Sequence, residues 1–569
     1  MTDQHLLLTL GSCAAFMALV AWISYLKTRG EADTKDGYFL AGRGLGGVFI
    51  AGSLLLTNLS AEQLIGLNGS AYGYNMSSMG WEVTAAVSTV LMALVFLPRY
   101  LAGAFTTLPE FLKSRFDEDV RRYTVILFML GYGLVTIPSV LYSGSVAVMQ
   151  LFNVPGMLNV GYFPGLVATV AVIGVIGSVY AIFGGLRAVA VSDTLNGIGL
   201  LAIGVIVPAL GLVALGEGSL ARGIATVATT ETHKLNAIGG RSDPTPFATL
   251  FTGMVFANLF YWCANQYVIQ RTLGARSLVE GQKGVLLSGF FKVLVPFLMM
   301  IPGVIAYHLY GPGLATIDEA YPRLIRDVLP FYMTGFFLAV LLGAVFSSFN
   351  SLLNSAATLF CLDVYAPWRG GALSDAELVR AAKIASVVIA LFSFAIAPLL
   401  YFAPEGLWQV IRVFTGFYNI PIVAIVVVGL FTRRTPAVGA KIAIVFHVAT
   451  YGLFRFVLYD VAPIHFLHLY AILFVIEIAI MLVAGRLAPR REPWRYERKN
   501  VVDLSPWALA RPTAFTLLSL VVALYLLFSP LGVVENTFSM AFRFLTGLLA
   551  AANIGVWALA LKRRRVQPA

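Results

Sequence analysis

Run after run of about twenty apolar residues fills this chain, and that repetition constrains its fold more than any other feature. A helix needs ~20 apolar residues to cross the hydrocarbon core of a bilayer. Fifteen such runs lie near 4–26, 47–68, 79–100, 124–153, 161–184, 189–214, 246–269, 281–309, 329–362, 383–403, 407–431, 438–457, 463–485, 512–532 and 541–561. None alternates polar and apolar at period two, which argues against a membrane β-barrel. The predicted class is an all-α, polytopic membrane protein with 14–15 transmembrane helices. Composition agrees. Hydrophobic residues make up 59% of the 569 and charged residues 12%, against ~45–50% and ~25% in soluble domains. Soluble enzymes, nucleic-acid binders and disordered chains are thereby excluded. The first run lacks basic residues in its "MTDQH" flank and is longer than a secretory signal core, so it reads as a spanning helix.

The basic residues set the orientation. Lys27 and Arg29 follow the first run, which places the N-terminus outside and the C-terminus in the cytoplasm. Alternation then puts 30 of the 39 Lys and Arg on the inner side, including 5 at 99–122, 3 at 271–283 and 7 at 486–511. Outer loops and outer helix ends hold 7, and Lys292 and Arg412 fall inside apolar runs. The net charge of +11 therefore reads as orientation in a cell (inner) membrane beside its lipids, with no nucleic-acid partner. The longest outer loop, 215–245, has room for a short helix, and the basic inner loop "GRLAPRREPWRYERKN" is expected at the lipid headgroups. No stretch is left for a separate soluble domain. Cys13, Cys263 and Cys361 form no CxxC, and the six histidines form no metal-binding spacing. Gly42-x-Gly44-x-x-Gly47 matches a dinucleotide fingerprint, but it follows no strand and opens a membrane helix, so it reads as a flexible lead-in.

Polar residues at bilayer depth need a reason, because charge there costs at least ~2.5–3.5 kcal/mol per residue. The second run, "GGVFIAGSLLLTNLSAEQLIGL", gathers Thr57, Asn58, Ser60, Glu62 and Gln63. Such a cluster suits a helix that breaks in mid-membrane and frees carbonyls for a cation, or else helix–helix hydrogen bonding. The third run carries Glu82, the seventh carries Asn258, Tyr261, Trp262, Asn265 and Gln266, and the eighth carries Lys292. Glu82 and Lys292 form either a structural salt bridge or part of a ring around a polar solute. The ninth run, "GAVFSSFNSLLNSAATLF", offers the adjacent hydroxyls of Ser347 and Ser348. Hard cations take oxygen ligands, and two hydroxyls with three carbonyls would complete a small site. Nothing suggests the nucleophile–base set of an enzyme, so the chain reads as a transporter, with a passive channel as an alternative.

These residues resemble the sodium:solute symporter family, and within it the bacterial sodium/galactose symporters and their animal sodium/glucose relatives. The matching stretches include "DGYFLAGRGL", "NLSAEQLIGLNGSAYGY", "TTLPEFLKSRF", "SVLYSGS", "GGLRAVAVSDT", "ANLFYWCANQYVIQRTLGA", "KGVLLSGFFKVLVPFLMMIPG", "SSFNSLLNSAATLF" and "LDVYAP". The resemblance implies a LeuT-like five-plus-five inverted repeat with extra peripheral helices. Residues 1–35 would be a peripheral N-terminal helix and 36–215 the first repeat. An outer loop at 216–245 would lead to the second repeat at 246–431 and peripheral helices at 432–569.

The resemblance also implies roles. A sodium site would use the carbonyls of Leu56, Leu59 and Ala344 with the hydroxyls of Ser347 and Ser348. Asp193 would stand on the sodium exit path. A sugar site would use Gln63, Glu82, Asn258 and Lys292. Tyr261, held by Asn58, would be an inner gate stacked on the sugar ring, and Leu67 and Trp81 would form the outer gate. Na⁺ would be the coupling ion, with no organic cofactor. Sugar hydroxyls each donate and accept, so such a site needs carboxylate or amide acceptors beside ammonium or amide donors. The chain departs from the galactose symporters at Ala85, where they show a Ser, and at Arg412, where they show a sugar-binding Gln. If Arg412 faces the cavity, it would suit an acidic solute such as a sugar acid. The last apolar run also exceeds the fourteen helices usual in that branch.

Overall fold

In hydrocarbon every backbone N–H and C=O must find its partner inside the protein, so each apolar run coils into a helix. The computed structural model describes residues 3–28, 34–241, 243–314, 316–370, 373–402, 407–458, 461, 464–499, 501–535 and 538–566. Among these, all regular elements are helical. Twelve helices are long and apolar enough to cross a membrane, and the bent pair Gly47–Asn58 and Gln63–Gly73 raises the number to thirteen. Tyr162–Ser178 and Gly253–Cys263 are shorter apolar helices. Every predicted run thus holds an apolar helix. The lipid-facing positions are apolar as well. Leu7, Trp22, Val172, Val388 and Val475 are all exposed.

The second run breaks where its polar residues lie. Thr57, Asn58 and Ser60 have short polar side chains that compete with helical hydrogen bonds. Leu59 leaves the helix at φ −88°, ψ 84°, and Ser60 is extended at φ −88°, ψ 171°. The two halves meet at 57°. The seventh run breaks in the same way. Gly253–Cys263 ends at Ala264, Asn265 is extended at φ −79°, ψ 118°, and Gln266–Leu273 follows. The first helix of each half is therefore discontinuous. Wider π-helical turns reinforce the correspondence. They occur at Met92–Phe96 and Gly131–Thr136 in the first half and at Pro296–Met300 and Phe360–Tyr365 in the second. These are the second and third helices of each half.

Two glycines let the backbone make turns or contacts that a side chain would block. Gly185, at φ +60°, ψ −170°, separates the fifth and sixth runs within Tyr162–Leu215, and an added Cβ would stand 3.0 Å from the Tyr38 carbonyl. Gly52 lets the first half of the broken helix touch Thr194, whose Oγ1 would lie 2.6 Å from a Cβ.

The basic loop expected at the headgroups forms a strap across the helix ends. Trp494 donates from its indole to the Ser114 carbonyl at 3.0 Å and from its backbone to Arg433 at 2.8 Å. Lys499 N–H reaches the Ala102 carbonyl at 2.8 Å, and Trp507 N–H reaches Gln282 at 2.7 Å. Arg115, counted above among loop charges, is buried beneath the strap and donates to the carbonyls of Gly429, Thr432 and Thr435. Burial, with Arg490 close by, lowers its pKa to about 10. The short helix expected within 215–245 is Leu220–Thr229.

One buried pair lies away from the central helices. His447 on Ala437–Phe456 meets Glu477 on Phe466–Leu487, and both are fully buried. The second imidazole nitrogen sits 2.9 Å from the Gly416 carbonyl, which ties three helices together. Removing one member leaves the other's buried polar group unpaired, at about 1–3 kcal/mol. Glu477→Ala is therefore expected to lower the thermal unfolding midpoint of the detergent-solubilised protein by several degrees. A midpoint within about one degree of wild type would contradict that assignment.

Candidate functional site

The first break leaves backbone oxygen atoms exposed at the centre of the molecule. In a continuous helix the Ser60 N–H would donate to the Leu56 carbonyl, but here it turns to Asn58 at 3.2 Å. The freed Leu56 oxygen accepts from the Ser348 hydroxyl at 3.4 Å. Next along the chain, Thr57 accepts at its carbonyl from the Tyr261 hydroxyl, also at 3.4 Å. The Thr57 side chain lies 3.2 Å from the Ser351 hydroxyl. The break is thus held by the ninth-run helix Thr334–Leu359 and by the second broken helix.

Beside the break is a cavity of ≈ 810 Å³, within the range usual for small-molecule sites. Thr57, Asn58 and Gln63 enter it from the first broken helix, Leu67 and Trp81 from further along, and Ala85 from the third run. Glu82 and Lys292 meet in its wall as a buried ion pair. The second Glu82 oxygen accepts from Gln63 Nε2 at 3.2 Å. Asn258 donates to the Thr84 hydroxyl at 3.1 Å, and Tyr261 stands edge-on to Tyr267 at 5.8 Å between ring centroids. Gln63, Glu82, Asn258, Lys292, Tyr261, Asn58, Leu67 and Trp81 all border this one cavity.

Leu56, Leu59 and Ala344 are buried behind the wall. Ser348 lines the cavity, while Ser347 faces the other way, into a gap of ≈ 10 Å³ shared with Ser192 and Asn350. The Ser347 hydroxyl lies beside the Asp193 carboxylate, beyond a close hydrogen bond. Asp193 is fully buried, accepts from Ser53 Oγ at 2.6 Å and lies 3.9 Å from Arg271. The Arg412 side chain lies outside the described residues.

Arg271 corrects the charge count. It had been assigned to the inner loop 271–283, yet it is fully buried. Its guanidinium donates to Ser53 at 2.8 Å and also to Ser351 and the Tyr267 carbonyl. The second break explains the difference, because Gln266–Leu273 carries this residue inward. Other cavity residues had no assigned role. Thr136, Tyr142 and Ser143 come from the fourth-run helix, and Tyr418 and Asn419 from the eleventh. Each is a polar group inside an apolar run, the same signal that marked Glu82.

Two discontinuous helices, one from each half, crossing beside a polar cavity define the inverted-repeat class of membrane transporter folds. The sodium:solute symporter family model matches residues 38–446, and the chain belongs to that family. It is 43% identical over 517 residues to the uncharacterized symporter YidK of Escherichia coli (strain K12), covering 90% of each chain. It is 31% identical to the sodium/glucose cotransporter of Vibrio parahaemolyticus, over 76% of this chain and 81% of the relative. A solved Na⁺-coupled sialic acid symporter, bound to substrate and open outward, shares the fold. Its TM-score is 0.73 at 21% identity, with 86% of this chain and 98% of that one covered.

The Glu82–Lys292 pair gives a test independent of transport. Lys292→Met alone strands a buried carboxylate, whereas Lys292→Met with Glu82→Gln removes both charges. The single variant is expected to unfold at the lower temperature, and the reverse order in a thermal melt would refute the pairing.

Proposed function

We propose that this chain is a sodium-driven symporter that imports a neutral, sugar-like solute across the cell membrane by alternating access. Its N-terminus lies outside and its C-terminus in the cytoplasm. Residues 36–215 and 246–431 are the two repeats. The reading rests above all on the 3.4 Å contact between the Ser348 hydroxyl and the freed Leu56 carbonyl. It joins the two oxygen-rich patches that a small cation would need together. Na⁺ binds between the carbonyls of Leu56, Leu59 and Ala344 and the hydroxyls of Ser347 and Ser348. Bound there, it ties the broken helix to the ninth-run helix and stiffens the adjoining solute site.

The solute displaces internal hydrogen bonds. Gln63 Nε2, Glu82 and Lys292 now pair with one another, Gln63 Oε1 is left unpaired, and a polyol can replace those contacts because each hydroxyl both donates and accepts. An analogue lacking a hydroxyl leaves a buried group unpaired, which gives selectivity. Tyr261 closes the inner side, Leu67 and Trp81 the outer side, and Na⁺ leaves past Asp193. Each charge moved inward gains ~2.3 kcal/mol per 100 mV, enough for roughly a fifty-fold solute gradient. The sodium/glucose cotransporter of Vibrio parahaemolyticus, 31% identical, supports this solute class. An acidic solute held by Arg412, and a passive channel, are the competing readings.

Purified protein in proteoliposomes is expected to accumulate labelled galactose or glucose under an inward Na⁺ gradient and not under a K⁺ gradient. Equal uptake in both would end the coupling claim, and ionic current far above solute flux would favour a channel. Ser348→Ala should raise half-saturating Na⁺ about tenfold or more, the loss of roughly one charge-assisted contact. Gln63→Ala should mainly raise the half-saturating solute concentration. Identical effects from the two variants would count against separate sites.

A further inference from the structure

The outer end of the cavity carries a charge that the site described above does not use. Three carboxyl or amino side chains line the cavity among the described residues: Glu82, Lys292 and Asp318. Glu82 and Lys292 neutralise each other. Asp318 stands apart on the loop between Tyr310 and Ala320 and is exposed. Although its surface is open to solvent, the surrounding protein partly desolvates the carboxyl and raises its pKa from the ordinary value, with no cation among the described residues offsetting it.

The loop is seated by specific contacts. The buried Tyr72, on the outer half of the broken helix, donates to the Gly311 carbonyl at 2.6 Å and accepts from Leu314 N–H at 3.2 Å. Gly69 and Gly73, one turn apart on that half-helix, leave room for the loop to settle. A Cβ on Gly69 would lie 2.9 Å from the Ile317 carbonyl and 3.2 Å from Asp318 Oδ1, and a Cβ on Gly73 would lie 2.5 Å from Ile317. These contacts hold Asp318 against the half-helix that carries Gln63 at its other end. Six residues of helix separate Gln63 from Gly69, about 9 Å. At that range the carboxylate acts on anything charged in the cavity, and the effect is screened as salt shortens the Debye length below about 8 Å.

We propose that Asp318 is the charge filter of the cavity mouth, favouring cation arrival and disfavouring anionic solutes. The inference rests on the symport reading and narrows it to a neutral polyhydroxyl solute over a sugar acid. With the Glu82–Lys292 pair neutral as a unit, Asp318 leaves the described lining with one net negative charge.

The test uses the full-length protein at pH 7.5, well above the usual aspartate pKa of about 3.9. One arm needs no solute: Na⁺-induced thermal stabilisation of purified protein, at low ionic strength and in added choline chloride. Asp318→Asn is expected to raise half-saturating Na⁺ about two- to threefold at low ionic strength, with the difference closing in choline chloride. Asp318→Glu should restore the wild-type value. Glu319→Gln, which neutralises a neighbouring carboxylate outside the cavity lining, should leave it unchanged.

The other arm is competition by glucuronate against sodium-dependent glucose uptake in proteoliposomes. Asp318→Asn is expected to narrow discrimination against glucuronate about three- to tenfold. An unchanged sodium half-saturation, an unchanged discrimination, or an equal shift with Glu319→Gln would overturn the filter. If wild-type protein carries no glucose, the sugar reading fails on its own, and the sodium arm still decides the role of Asp318.

Discussion

The structure depends on a stretch of non-helical backbone at 59–60, held in the middle of the bundle beside the cavity. An unpaired peptide group in hydrocarbon costs several kcal/mol, so a membrane protein can keep such a break only by supplying partners from elsewhere. Here they come from the other half of the chain. Ser348 reaches the Leu56 carbonyl and Tyr261 reaches that of Thr57. The requirement that the break be satisfied places the first broken helix against the ninth-run helix and the second broken helix. The cavity lies beside this junction because helices that diverge at a bend cannot fill the space between them.

Around the break, buried charges occur in closed groups. Lys292, Glu82 and Gln63 form one, and Arg271, Asp193, Ser53 and Ser351 another. His447 and Glu477 form a buried hydrogen-bonded pair away from the cavity. Buried ion pairs add little net stability compared with apolar packing, but they penalise any arrangement that separates them. In the first two groups the partners come from different helices of the core. Helix movement that separates Glu82 from Lys292 or Asp193 from Arg271 therefore needs a replacement partner, which a polyol hydroxyl or a metal cation can provide. That is the physical link between solute, ion and conformation in the proposed cycle.

The candidate site was legible to the extent that polarity interrupts an apolar run. Gln63, Glu82, Asn258, Tyr261 and Lys292 are conspicuous for that reason, and the structure gathers them around one cavity. Tyr142, Ser143, Tyr418 and Asn419 carry the same signal, but nothing in a single sequence says which face of a helix turns inward. Arg271 was hidden differently. It follows an apolar run, where a basic residue ordinarily marks the cytoplasmic edge, and only the break at Ala264–Asn265 brings it into the interior. Asp318 carries no such signal, and the contacts of Tyr72, Gly69 and Gly73 are what place its loop at the cavity.

The amino-acid sequence by itself determined the class of fold. Apolar length, the distribution of basic residues and the polar interruption at 57–63 are local properties, and a bilayer acts on them locally by demanding internal hydrogen bonds and penalising buried charge. It could not decide which interruption meets which. The Ser348–Leu56 contact joins residues 292 positions apart, and the Glu82–Lys292 pair spans 210. Such partnerships follow from how the helices cross, and their crossing is set by the simultaneous packing of the whole bundle, which no stretch of chain encodes alone.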